Sequence, residues 1–220
     1  VRPDPTIDVE PVSPPDICVG GTTFNMTVTA SGGTPTLQYQ WQYDTGSGWA
    51  NVVNGTPTGA VYTGGAASSM SVSSISVPGT YNYQCLVSAT GSDCDPVATT
   101  TVTVTVVADP TLTDPVLTNS AICVGGTTDI SSIISGGTGT PVYNWQYYNG
   151  STWNNVVNGT PAGSTYTNAN TLAMTIAGST AAGSYQYRLT TNNSSGCDFN
   201  SNATTLTVVA DPSISVQPTS

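Results

Sequence analysis

The chain carries one sequence twice. ICVGGTT at 17–23 returns at 122–128, NVVNGTP at 51–57 returns at 155–161, and VVADP at 106–110 returns at 208–212. Each copy is about a hundred residues long, the size of one β-sandwich domain. A duplication of that length excludes a single large core shared by all 220 residues. It predicts one unit over 1–108, a second over 109–210, and at 211–220 the opening strand of a third. The chain starts with VRPDPT, which echoes VVADPT at 106–111, and so reads as excised from inside a longer protein.

Both copies break into short alternating runs bounded by Gly, Pro, Asn and Asp, the pattern of strands and turns. In the first copy the runs cover 22–30, 37–43, 49–53, 68–77, 80–88 and 98–107. In the second they cover 127–134, 142–148, 153–157, 171–176, 184–191 and 203–209. Val102, Val104 and Val106 alternate with Thr101, Thr103 and Thr105, as in a strand with one face buried. No run has helical periodicity with caps. The predicted fold class is all-β, two antiparallel sandwiches in tandem, joined through Asp109-Pro110 with no glycine-serine tether.

Charge narrows the partners. Charged residues make up 6% of the chain, with no histidine and two cations, Arg2 and Arg188, against twelve acids. A net charge of −10 repels phosphate backbones and anionic membrane surfaces. No run of about 18 apolar residues is present to span a bilayer. Thr, Ser, Asn and Gln therefore keep the surface wet, a choice suited to exposed pleats.

The cysteines recur as well: Cys18 with Cys123 and Cys94 with Cys197, whereas Cys85 aligns with Leu189. Recurrence as a pair predicts disulfides Cys18–Cys94 and Cys123–Cys197 and, with them, an oxidising, extracellular compartment. In an ordinary sandwich those partners lie at opposite ends, too far apart for bridged Cα atoms. Either the first strand is displaced so that Cys18 runs beside the last hairpin, or the cysteines pair between units or chains.

Several motifs resemble the immunoglobulin-like family. YQWQ at 39–42 and YNWQ at 143–146 resemble the strand bearing the core tryptophan, Trp41 or Trp145. GTYNYQC at 79–85 and GSYQYRL at 183–189 resemble its sixth strand, which implies Tyr83 and Tyr187 as corner tyrosines. The same resemblance places Cys85 and Leu189 against the core tryptophans, Cys85 as a buried free thiol. ICVGGTT, GGTGT at 136–140, YNWQ, SGC at 195–197 and TLTV at 205–208 further resemble the tandem repeats of large surface adhesins and secreted multidomain proteins of Bacteroidota. That resemblance implies an exported stalk, adhesin or filament component.

Chemistry is sparse. Without histidine there is no Ser-His-Asp or Cys-His site, and the acids lie in turns and linkers, so no enzyme is expected. Asp4, Asp93 and Asp95, or Asp109 and Asp198, would share one end of a sandwich and could hold calcium at the joint between repeats, although Ca²⁺ needs 6–8 oxygens. The competing role is local: Asp side chains shape turns by accepting nearby backbone N–H groups. Trp49 and Trp153 would serve as a sugar- or peptide-stacking platform if they face solvent, and as hairpin anchors if they do not. The expected partners are further copies of the repeat in a longer chain, with a cell-surface glycan or protein, or self-association through terminal strands at 6–9 and 213–216, as additional contacts.

Overall fold

The computed structural model describes residues 4–33, 36–90, 95–193 and 195–215, and among them every regular element is a strand. The chain forms two compact units. The first comprises Val1–Asp109 with Gly137–Gly139 and Ser194–Cys197; the second comprises Pro110–Gly136, Thr140–Asn193 and Asp198–Ser220.

The strands of the first unit are β1 (Thr6–Val9), β2 (Ile17–Cys18), β3 (Met26–Thr27), β4 (Thr29–Ser31), β5 (Leu37–Asp44), β6 (Trp49–Asn51), β7 (Val61–Thr63), β8 (Ser69–Ser73), β9 (Gly79–Ala89), β10 (Val97–Ala98) and β11 (Val102–Val107). One sheet runs β2-β11-β9-β5-β6, with β10 also on β9; β3-β8-β7 and the pair β1-β4 supply the other side. Period-two patterning drives this layering. Along β11 Val102, Val104 and Val106 are buried and Thr103 and Thr105 half-exposed, and on β9 Tyr83, Cys85 and Val87 point the same way. Cross-strand register sets Trp41 beside Cys85 and Tyr39 beside Val87. Met26, Val28, Met70, Val72 and Ile75 close the core from the opposite layer.

The first edge is where the sequence reading needed a third dimension. β1 pairs with β4, whereas β2 crosses to the other sheet and runs parallel to β11, Cys18 beside Val107. Pro11, Pro14 and Pro15 lie in the crossing segment, and without amide donors they cannot continue a ladder. Each sandwich is thus antiparallel except for one parallel pair. The run at 22–30 splits because β3 pairs with β8 and β4 pairs with β1; between them the Val28 amide bonds the Ser68 carbonyl at 2.8 Å. The run at 98–107 is interrupted by Thr99, whose hydroxyl accepts the Cys85 amide at 2.9 Å.

The second unit repeats the plan with β12 (Thr111–Leu112), β13 (Val116–Leu117), β14 (Ala121–Cys123), β15 (Thr127–Ser131), β16 (Ile134–Ser135), β17 (Val142–Tyr148), β18 (Trp153–Asn155), β19 (Thr165–Thr167), β20 (Ala173–Ala177), β21 (Gly183–Asn192), β22 (Phe199–Asn200) and β23 (Thr204–Val209). Its larger sheet runs β14-β23-β21-β17-β18, and β13-β15-β20-β19 lies across from it. β14 again runs parallel to β23, Cys123 beside Val209. Ile130, Trp145, Met174, Ile176, Tyr187, Leu189 and Leu206 form a separate core. With the N-terminal segment shared between two sheets and the tryptophan strand paired on both sides within its sheet, both units are immunoglobulin-like sandwiches.

Candidate functional site

The repeated motifs all sit at joints. In NVVNGTP, the Asn54 side-chain oxygen Oδ1 accepts the Tyr62 amide at 2.8 Å, and the Thr56 backbone carbonyl accepts the Tyr62 hydroxyl at 2.9 Å. Tyr62 has one hydroxyl proton and it is committed to Thr56, so the Tyr83 hydroxyl, 3.3 Å away, is the donor between the two phenols. The second unit reproduces the relay: Asn158 to Tyr166 at 2.8 Å, Tyr166 to Thr160 at 3.0 Å, and Tyr166 with Tyr187 at 3.2 Å. Both ring pairs meet edge to face. Sequence reading named Tyr83 and Tyr187 but missed Tyr62 and Tyr166; the signal was the repeated VYT at 61–63 and TYT at 165–167.

Burial pushes the Tyr62 phenol up to about 12 and raises Tyr83, Tyr166 and Tyr187 as well, burial being the largest cause in each. The fold holds the neutral phenol. Above the ordinary value of 10 the unfolded chain sheds these protons while the folded chain keeps them. Stability is therefore complete below pH 10 and falls as pH rises toward about 12. Absorbance titration of tyrosinate should show these four rings ionising only together with loss of structure. Normal titration of all eleven tyrosines near pH 10 in a still-folded chain would refute the buried relay.

Trp41 and Trp145 are fully buried, their indole N–H groups donating to the Ala67 and Thr171 carbonyls, each at 2.9 Å. Cys85 is a buried free thiol pushed up to about 11, chiefly by burial, and Leu189 fills the equivalent place.

On the outer face of the larger sheet the side chains are amides. In the first unit Gln84 donates to Gln42 and Gln42 to Asn51, both at 3.0 Å. In the second, Gln146 donates to Asn155 at 3.0 Å and Arg188 replaces the glutamine, its Nε donating to Gln146 at 2.9 Å. The guanidinium also lies 4.6 Å over the Trp153 ring, which packs against Tyr148 at 5.3 Å. Desolvation there lowers the Arg188 pKa. Trp153 is accordingly half-buried, with Arg188 over its ring, a partner 35 residues away that no local pattern points to. Trp49 remains 39% exposed. The two tryptophans thus differ in setting: Trp49 presents its ring to solvent, and Trp153 anchors its hairpin.

The cysteines require a correction. Cys18 is bonded to Cys197, with Cα atoms 5.0 Å apart, and not to Cys94, which lies outside the described residues. Cys123 is consequently a free, exposed thiol instead of the partner of Cys197. The displacement of Cys18 beside the last strand does occur, through the β2–β11 pair. What recurrence could not reveal is that the Ser194–Cys197 segment belongs to the first compact unit. There the Ser195 carbonyl accepts the Cys18 amide at 2.8 Å.

The acids considered for calcium lie only partly within the described residues. Among the described residues no three acidic, histidine or cysteine side chains converge. Asp4, Asp95, Asp109 and Asp198 are all exposed; Asp93 lies outside the described residues. Asp198 accepts the Asn193 amide at 3.0 Å, the local turn-shaping role. The terminal strand at 6–9 is already paired with β4, and residues 213–215 are exposed and outside any strand, with Val216 beyond the described residues. Among the described residues no helix is long and apolar enough to cross a membrane.

No family model and no curated protein matches the chain. Solved structures that it is similar to are multidomain fragments. A three-Ig fragment of titin is 15% identical with a TM-score of 0.45, over 96% of this chain and 67% of that one. Extracellular domains 3–5 of Drosophila OTK are 18% identical with a TM-score of 0.42, over 95% of this chain and 62% of that one. The N-terminal eight Ig domains of Down Syndrome Cell Adhesion Molecule are 15% identical with a TM-score of 0.47, over 98% of this chain and 25% of that one.

Proposed function

We propose that the chain is a stretch of an extracellular repeat array, serving as a structural and adhesive spacer in a surface adhesin or filament. The observation that carries this reading is the doubled joint chemistry. Two of the repeated motifs build the same fastening in both units, the Asn-Thr-Tyr-Tyr relay and the glycine turn after the first cysteine. The buried tyrosine hydroxyls are engaged in fastening the sandwich, and among the described residues no three acidic, histidine or cysteine side chains converge. A disulfide suits an oxidising exterior. Electron microscopy of the isolated chain under reducing conditions tests the reading: separate, uniform short particles fit a spacer. Ordered fibres formed without any disulfide would replace it with a subunit that assembles through strand exchange.

A glycan-binding module is the reading that Trp49 favours, because its ring is exposed on the sheet edge. Glycan-array signal lost in Trp49→Ala would establish it. Trp153 supports that reading less, since Arg188 occupies the space over its ring.

A further inference from the structure

We propose that the tyrosine-lined groove beside Tyr148 in the second unit binds a neutral oligosaccharide, with Tyr148 as its stacking ring. The site lies wholly within the second unit, is separate from Trp49, and does not depend on the spacer reading.

Strand register builds the groove. β17, β21 and β23 are neighbours in the larger sheet, with Tyr147 opposite Tyr187 and Gln186 opposite Thr205. Tyr148, Gln186 and Thr205, all exposed, therefore meet at one end of that sheet. With Tyr147, Tyr185 and Pro161 they line a groove of about 600 Å³, inside the range of about 300–1,000 Å³ usual for small-molecule sites. Ser184 adds a hydroxyl to the lining. The Tyr185 ring is fixed by its own hydroxyl, which donates to the Ala181 carbonyl at 3.0 Å. Among the described residues that line the groove none is charged.

The first unit shows what the fold alone requires at these positions. There Asp44 stands where the second unit has Tyr148, Asn82 where it has Gln186, and Gln84 where it has Arg188. Asp44 accepts the Gly46 amide at 2.8 Å, and the Thr103 hydroxyl donates to Asn82 at 3.1 Å, so these side chains are engaged with their own neighbours. In the second unit all three have changed together. Tyr148 packs on Trp153 with ring centroids 5.3 Å apart, and Arg188 lies 4.6 Å over the Trp153 ring. The stacking ring is thus held in place before a ligand arrives, which lowers the ordering cost of binding. Gln186 and Thr205 are not bonded to each other as Asn82 and Thr103 are, and their amide and hydroxyl are left to the groove.

These exchanges replace a carboxylate by a ring and a self-satisfied pair by open hydrogen-bonding groups. Such a wall suits a molecule with a C–H face to lie on an aromatic ring and hydroxyls that both donate and accept. A pyranose chain has both. The Gln186 amide and the Ser184 and Thr205 hydroxyls serve in either direction, so each sugar hydroxyl finds a partner. An acidic saccharide finds no cation in the lining and meets a chain of net charge −10. Arg188 is already engaged, its Nε on Gln146 and its plane on Trp153. A proline-rich segment fits the rings but brings acceptors without amide donors, which leaves the Gln186 side-chain oxygen unpaired on binding.

The test is isothermal titration of the full chain with cellohexaose, xylohexaose and mannohexaose, and with trigalacturonate and decaproline as the acidic and peptide alternatives. The expected result is binding of at least one neutral sugar with a Kd of about 1 mM or tighter. Tyr148→Asp, which carries the first unit's residue at an exposed position, weakens that binding about tenfold through loss of the ring contact. Tyr148→Phe keeps the ring and retains binding. Gln186→Ala, which leaves the Tyr148–Trp153 packing intact, weakens it, and Trp49→Ala does not change it. Failure of all three neutral sugars overturns the proposal, as does binding indifferent to Tyr148→Asp, or binding of decaproline or trigalacturonate in their place. Binding lost in Trp49→Ala and kept in Tyr148→Asp also overturns it and assigns the sugar to the first unit. None of these outcomes alters the particles seen by microscopy, so the spacer reading stands or fails separately.

Discussion

Trp145→Ala is expected to remove about 3–5 kcal/mol from the second unit, the range for emptying a large aromatic site in a packed core. Trp145 is 1% exposed, pairs in register with Leu189 and donates its indole N–H to the Thr171 carbonyl. Its removal leaves a cavity and an unpaired carbonyl together, and surrounding strands held by a hydrogen-bond ladder cannot collapse to fill it. Since whole domains are stable by only about 5–15 kcal/mol, the second unit should approach or cross its unfolding threshold at ambient temperature. The first unit has its own buried cluster around Trp41 and should keep its protection. Hydrogen exchange resolved by peptide reads both at once. Equal loss of protection in the two halves would mean a single cooperative core and would contradict the division into two.

Cys197→Ser is expected to lower the stability of the first unit by about 3–5 kcal/mol in the chain-entropy account of a long closed loop. The bond spans 179 residues of sequence, and it restrains the unfolded chain more than any local contact can. The cost also includes the docked segment, whose Ser195 carbonyl accepts the Cys18 amide at 2.8 Å, a bond worth about 0.5–1.5 kcal/mol net. Denaturant midpoints measured with and without a phosphine reductant give the answer. Wild type should shift on reduction, Cys197→Ser should already sit at the reduced midpoint, and further reductant should not move it. A wild-type midpoint indifferent to reduction would show that this bond does not hold the first unit.

Much of the architecture was legible because β-structure writes itself in period two. VTVTVV at 102–107 alternates buried and half-exposed residues as the sequence predicts. The repeated Trp and Tyr positions lie where the immunoglobulin resemblance implied, in the interior. The relay of Asn54, Thr56, Tyr62 and Tyr83 was half legible: its motif repeats, yet the partners are 6 to 21 residues apart and no local rule connects them. The outer face was legible as polar but not as a network, because Arg188 reaches Trp153 and Gln146 only through the pairing of three strands.

The sequence by itself determined that there are two sandwiches, which residues face inward, and where the chain turns. Those properties depend on alternation, proline and glycine, which act within a few residues. Only the tertiary structure decided which sulfurs meet. Equivalent cysteines in a duplicated chain are chemically identical, so recurrence cannot choose among them; position in space can, and it gives Cys18 to Cys197 while leaving Cys123 uncovered.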